Sequence, residues 1–137
     1  MIAVQPYINF KGNCREAIEF YKQALGAEVL FTQTVGESPM SDMGPAESIM
    51  HCSMKVGDSV LMMSDDMRPD APPYGNGNIS LTVGLNDPAK AGEIFARLSE
   101  GGQVMMPLTK TYWAEAFGML TDRFGVRWMV NCDGPKS

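Results

Sequence analysis

Phe20-Tyr21-Lys22-Gln23-Ala24-Leu25-Gly26-Ala27-Glu28-Val29 and Phe95-Ala96-Arg97-Leu98-Ser99-Glu100-Gly101-Gly102-Gln103-Val104 are the two stretches whose joint reading decides the fold. Each ends an apolar-striped helix on glycine and passes straight into a β-type run. Adding 75 to each number (95 minus 20) lays Phe20, Gly26 and Val29 on Phe95, Gly101 and Val104. Three identities gain weight because the order of elements around them repeats as well.

Around the first stretch, Gln5 to Phe10 reads as a short strand. Asn13 offers an N-cap, with Glu16 three positions later as in a capping box. Cys14, Ala17, Ile18, Tyr21, Ala24 and Leu25 then recur at helical spacing. Strands follow at Ala27–Val35, Ser48–Val56 and Ser59–Ser64. The last two are joined at Gly57-Asp58, a hairpin signal. Gly36–Glu47 between them is a polar loop, long enough to act as a lid.

Around the second stretch, Asn78–Leu85 alternates apolar Ile79, Leu81, Val83 and Leu85 with polar Asn78, Ser80 and Thr82. Asp87-Pro88 is a favoured helix start, and Ala91, Ile94, Phe95 and Leu98 form the buried stripe. Gln103–Leu108, Trp113–Thr121 and Val126–Cys132 read as three further strands. The order is β-α-β-β-β twice over. One domain over 1–137 is expected, with module one at 1–66, a linker at 67–76 rich in proline, and module two at 77–133. The fold class is α+β: two βαβββ modules form a curved, mainly antiparallel sheet trough. Each helix covers one sheet face and leaves the other free for a ligand.

The chain of 137 residues is 45% hydrophobic and 20% charged, enough to bury a core. Eleven Lys and Arg against sixteen Asp and Glu give a net charge of −5. That balance, with no long basic run, disfavours nucleic acid and anionic membranes as partners. No stretch is apolar for the roughly 20 residues that a spanning helix needs, and the first residues do not read as a secretory signal. Three dispersed cysteines, Cys14, Cys52 and Cys132, fit free thiols in a cytoplasmic protein. No phosphate loop and no nucleophile elbow are present. Gly75-Asn76-Gly77 precedes a strand, so it is not a nucleotide-binding turn.

Four strings carry a family resemblance: Pro6-Tyr7-Ile8-Asn9-Phe10, Glu16-Ala17-Ile18-Glu19-Phe20-Tyr21, Gly57-Asp58-Ser59-Val60-Leu61-Met62-Met63-Ser64-Asp65 and Asp122-Arg123-Phe124-Gly125-Val126-Arg127-Trp128. On them the chain resembles the vicinal oxygen chelate superfamily of glyoxalase I, bleomycin- and fosfomycin-resistance proteins and extradiol dioxygenases, in its PhnB-like branch. The resemblance implies a small-molecule ligand and a homodimer, and leaves open whether modules pair within or between chains. It also implies three classes of activity: ligand binding or modification without a metal, metal-dependent lyase, isomerase or dioxygenase chemistry, and drug sequestration by a dimer. PhnB-like sequences are also named as demethylubiquinone methyltransferases, but no nucleotide-type cofactor site is legible here.

The superfamily's four metal-ligand positions carry over onto this chain one at a time. The second falls on His51, the third on Asn78 and the fourth on Met129. For the first, counting back from Phe20-Tyr21 gives Pro6, whereas placing Ile8 and Phe10 toward the helix gives Tyr7. Tyr7 is preferred, since a one-residue slip inverts the strand's apolar face. A phenol, an imidazole, an amide and a thioether make a poor site for zinc, nickel or iron, so no metal cofactor is expected; a divalent metal, if bound, would use His51. His51 is the candidate base, with Glu115 as the remaining candidate carboxylate. Tyr7, His51, Asn78, Ser80, Trp113, Phe117, Arg127 and Met129 are the expected ligand contacts. Arg127 is suited to an anion through its planar fork. Strand parity sends Trp128, Cys52 and Cys132 to the helix side. Asp65-Asp66 and Asp122 read as turn caps at strand ends.

Overall fold

The computed structural model describes residues 3–39, 42, 44–66 and 79–133. The chain divides into two compact units, Met1–Pro72 and Pro73–Ser137. Among the described residues, each holds one helix and one four-stranded sheet.

In the first unit the elements are β1 (Tyr7–Phe10), α1 (Cys14–Leu25), β2 (Glu28–Thr34), β3 (Ile49–Val56) and β4 (Ser59–Asp65). The sheet order is β1-β4-β3-β2. β1 runs parallel to β4, and the other neighbours are antiparallel. The expected stripe of α1 is the buried one, with Cys14, Ala17, Ile18, Tyr21 and Ala24 turned inward. They pack with Phe10, Cys52, Met54, Leu61 and Met63 from the sheet. Each large side chain so buried contributes about 1.5–3 kcal/mol. Gly26 ends the helix in the left-handed region at φ 65°, where a side chain would be strained.

The second unit holds β5 (Leu81–Leu85), α2 (Pro88–Ser99), β6 (Gln103–Thr109), β7 (Ala116–Thr121) and β8 (Arg127–Cys132). Its order, β5-β8-β7-β6, repeats that of the first, with β5 parallel to β8. Ala91, Ile94, Phe95 and Leu98 face a core of Leu120, Trp128, Val130 and Cys132. Gly118 of β7 is a packing requirement: a Cβ there would lie 2.7 Å from the ring of Phe95.

Two expectations of strand extent and one of facing are corrected. β5 begins at Leu81, and Ile79, expected inside, is exposed. β7 begins at Ala116, not Trp113. The Thr111 amide bonds to the Ala114 carbonyl at 3.1 Å, and the Ala114 amide to the Thr111 hydroxyl at 3.1 Å. That closed turn holds Trp113 off the ladder. In β3, strict alternation from His51 puts Ile49 on the same face, yet Ile49 is only 1% exposed. The ladder pairs Gln33 with His51 and Thr34 with Ile49, so Met50 is an extra residue in a bulge. A bulge resets the alternation on its far side.

The Asn13 cap is corrected as well. Asn13 precedes α1, but its side chain caps no helix amide and instead accepts from the Lys11 amide at 3.3 Å. The Cys14 amide bonds to Asp65 Oδ1 at 2.9 Å, and the Ile49 amide to Asp65 Oδ2 at 2.9 Å. The buried Asp65 thus caps a helix 51 positions away in sequence. Asp122 is a turn cap, as expected. Its Oδ1 accepts from the amides of Phe124 at 2.9 Å and Val126 at 3.0 Å, and its Oδ2 accepts from the Trp128 indole at 2.9 Å.

The base of the Gly36–Glu47 loop is closed by amide bonds from Val35 to Ser48 and from Gly36 to Ala46. Arg15 of α1 bonds to the Glu47 carbonyl at 2.9 Å. Part of that loop, the whole 67–76 linker and Asn78 lie outside the described residues.

Candidate functional site

Because α1 covers one face of the first sheet, the other face is set by strand alternation. β1 alternates half-buried Ile8 and fully buried Phe10 with Tyr7 and Asn9, both exposed. This register puts Tyr7, not Pro6, on the helix-free face. The ladder then lines up Tyr7 with Met62, Met62 with Ser53, and Ser53 with Phe31. His51, two residues before Ser53, belongs to the same face and pairs with Gln33.

His51 is half-buried there. The Tyr7 hydroxyl lies 3.4 Å from its Nδ1, and the two ring centroids are 5.7 Å apart. At that length the contact orients the imidazole more than it binds it. Phe31 stands on the other side, 6.1 Å from the imidazole centroid. The result is an imidazole held between two aromatic rings, with Ser53, Met62 and Gln33 beside it. Phe31 was not among the sequence candidates. Its signal was its place on β2 two residues before Gln33, which becomes meaningful only once β2 is paired with β3.

In the second sheet, Arg127, Met129 and Asn131 alternate with buried Trp128, Val130 and Cys132. Phe117 pairs with Asn131 and Met119 with Met129, so they share the helix-free face. Trp113 lies ahead of β7, 49% exposed, with its ring edge-on to Phe117 at 5.2 Å and to Tyr112 at 4.8 Å. Glu115 is exposed beside the start of β7, and its amide bonds to the Cys132 carbonyl at 2.9 Å. Ser80 is half-buried just before β5. The Tyr7–His51 pair thus lies in one unit, and Phe117, Trp113, Arg127 and Met129 in the other. A shallow recess of about 380 Å³ lined by Gly84, Leu85, Asn86 and Asp133 carries no pair of reactive groups.

Among the described residues, the donors around His51 do not suit a resident transition metal. His51 is the sole histidine. Among the described residues no three His, Cys, Asp or Glu groups are placed to share an ion. The geometry explains this. All three cysteines are buried, and each thiol is pushed above its usual pKa, chiefly by loss of solvent. Cys52 adjoins His51 in sequence, so it points to the opposite sheet face. Asp65 and Asp122 are occupied with backbone amides. What remains around His51 is phenol, hydroxyl, amide and thioether, a set poor in the thiolate, imidazole and carboxylate such ions need.

A family model for the glyoxalase/bleomycin resistance protein/dioxygenase superfamily matches residues 6–130. The chain belongs to that superfamily. It is 34% identical to protein YjdN of Escherichia coli K12 over 93% of both chains. Its fold matches the crystal structure of protein PA1353 from Pseudomonas aeruginosa with a TM-score of 0.87 at 42% identity, covering 98% of this chain and 100% of that one. A Bacillus cereus PhnB protein, which carries the name 3-demethylubiquinone-9 3-methyltransferase, matches with a TM-score of 0.78 at 20% identity over 96% and 99% of the two chains. At that identity the likeness shows the fold alone. The same holds for the fosfomycin resistance protein FosX of Mesorhizobium loti, with a TM-score of 0.62 at 11% identity over 96% and 92%. Among the described residues no helix is long and apolar enough to cross a membrane.

Proposed function

We propose that the helix-free face around Tyr7 and His51 binds a small organic molecule without a resident metal, and that His51 is its principal polar contact. The observation that carries this reading is the half-buried imidazole set between the Tyr7 hydroxyl at 3.4 Å and the Phe31 ring. An imidazole so placed serves ligand recognition or proton transfer equally well. With Nδ1–H donated to the Tyr7 oxygen, Nε2 carries the lone pair that accepts a proton from a bound acid. With the opposite tautomer, Nε2 donates to a ligand acceptor. Either role uses the nitrogen turned away from Tyr7.

On the second unit, Ser80, Trp113, Phe117, Arg127 and Met129 are proposed as contacts for a ligand on that unit's own helix-free face, with Glu115 as an accessory carboxylate. A homodimer in a reducing cytoplasm is the proposed setting; the three free, buried thiols support the compartment.

The sole histidine makes a clean test, because its Cε1–H gives one proton resonance. A panel of metabolites and antibiotics is titrated into the purified protein, first as prepared and then after chelation. The expected result is a saturable shift of that resonance by at least one compound, unaffected by chelation and weakened by Tyr7→Phe. A resonance indifferent to every hit detected by thermal shift overturns the proposal. So does a stoichiometric metal lost on His51→Ala.

A further inference from the structure

The second sheet carries a pattern that its elements do not show singly. Met106 pairs with Met119, and Met119 with Met129. These three cross-strand neighbours stand side by side on the helix-free face, at the sheet spacing of about 4.8 Å. All three are half-buried, so their thioethers form a continuous, partly open row. Thioethers are polarisable and adaptable, and they favour contact with aromatic rings.

The charges around this row are sorted. Two residues toward one end of β8, about 7 Å along the strand, stands Arg127, paired with Thr121. Two residues toward the other end stand Asn131 and Phe117, with Trp113 edge-on to Phe117. Glu115 and Asp133 lie just beyond that aromatic end, whereas Asp122, next to the Arg127 end, is buried and accepts from the Phe124 and Val126 amides and the Trp128 indole. Glu115 precedes β7, and Asp133 accepts from the Asn131 amide group at 3.2 Å. In a chain of net charge −5, this face holds a guanidinium at one end and no carboxylate among its described strand residues. A negative group is therefore favoured at the Arg127 end and repelled at the other.

We propose that this face binds a planar aromatic organic anion. Its ring system lies on the Met106–Met119–Met129 row with one edge toward Phe117 and Trp113. Its carboxylate or similar group reaches Arg127. A guanidinium has five donors in a fixed fork, enough to take a carboxylate in addition to a protein neighbour. The span of about 7 Å from row to cation suits a bicyclic ring bearing one acidic substituent. The proposal rests on the reading that Trp113, Phe117, Arg127 and Met129 contact a ligand on the helix-free face of their own unit, and it uses no residue of the Tyr7–His51 cluster.

The test uses the full chain labelled with ¹³C at the methionine methyls. Met→Leu changes at 106, 119 and 129 assign the three signals. Three probes are titrated: 2-naphthoate, its neutral analogue 2-naphthamide, and cyclohexanecarboxylate, an anion without an aromatic face. The expected result is that 2-naphthoate moves these three signals upfield. It should bind at least about tenfold tighter than the amide, the discrimination one charge-assisted contact supplies, and tighter than cyclohexanecarboxylate because only an aromatic ring gains the thioether and edge contacts. Arg127→Gln removes the preference over the amide, Arg127→Lys keeps part of it, and the unliganded spectra report that both variants fold. Equal binding of acid and amide overturns the anionic assignment, and shifts confined to other methionines overturn the site. The His51 resonance, recorded in the same sample, judges the Tyr7–His51 proposal separately. A failure here therefore does not pass for a failure there.

Discussion

The two modules start their helices at equivalent places by different chemistry. In the first, the parallel ladder ends at Phe10 paired with Asp65; in the second it ends at Leu85 paired with Cys132. Asp65 and Cys132 are therefore counterparts, as are Cys14 and Pro88, the first residues of α1 and α2. The Cys14 amide needs an acceptor, and Asp65 supplies it. Pro88 has no N–H, so its module does without the distant carboxylate and places a thiol there. Local capping falls to Asp87, whose Oδ1 accepts from Ala89 at 3.1 Å and Lys90 at 3.3 Å. The backbone ahead of each helix fixes which solution is open. Asp87 has ψ 105°, extended as a residue before proline must be, whereas Asn13 has ψ 21°. Proline at position 14 would clash with that conformation. A duplicated fold thus constrains the need for a cap, not the residue that provides it.

The sharpest way to break the comparison is Asp65→Ala. It strands two buried amides, those of Cys14 and Ile49, at about 1–3 kcal/mol each, so roughly 2–6 kcal/mol in all. Chemical denaturation should show the loss, and hydrogen exchange should place it at the start of α1 and of β3. Adding Cys14→Pro should not restore it, because of ψ at Asn13 and because Ile49 stays unpaired. A loss below about 1 kcal/mol would mean that water replaces the carboxylate and that the cap is dispensable.

The next effect sharpens the same pair of positions through their thiols. Burial raises the Cys14 thiol pKa, with the Asp65 carboxylate adding to it; burial also raises those of Cys52 and Cys132. A folded pKa above the unfolded value of about 8.5 means that the protonated form is favoured in the fold. That stability is complete below about pH 8.5 and is lost as pH rises toward the folded values, by up to about 1.4 kcal/mol per pH unit for each of Cys14 and Cys52. Denaturation midpoints should therefore hold steady from neutrality to about pH 8.5 and fall beyond it. A Cys14→Ser, Cys52→Ser variant should fall less steeply. A thiol reagent at neutral pH should label none of the three rapidly until the chain unfolds.

Features resting on local spacing were legible in the sequence. The buried stripes of both helices, the Asp87-Pro88 start, the Asp122 turn and the inward Trp128 all follow from residues within a few positions of one another. What was not legible depends on partners far apart in the chain. Asp65 looked like an ordinary strand-end turn residue, and its amide partners are 51 and 16 positions away. Ile49 changed face because of a bulge that only the β2–β3 register shows. The site followed the same rule. Tyr7 and His51 were chosen by parity and family position, and they meet. Phe31 and the Met106–Met119–Met129 row emerge only from cross-strand pairing. Trp113 was assigned to β7 because aromatic alternation outweighed the turn that Thr111 closes.

The smallest expected effect lies at the second helix. Asp87→Ala removes one side-chain acceptor from the amides of Ala89 and Lys90. Both bonds lie at an exposed helix end, where water offers a substitute, and Pro88 leaves one amide fewer to satisfy. The cost should be about 1 kcal/mol, the usual value for an N-cap, and clearly below that of Asp65→Ala. Asp87→Asn should recover most of it, because an amide oxygen also accepts at that position. If Asp87→Ala instead matched Asp65→Ala, the two starts would be equally dependent on their carboxylates. Proline at the first turn would then offer no relief, and the distinction between a cap made locally and one made across the sheet would not hold.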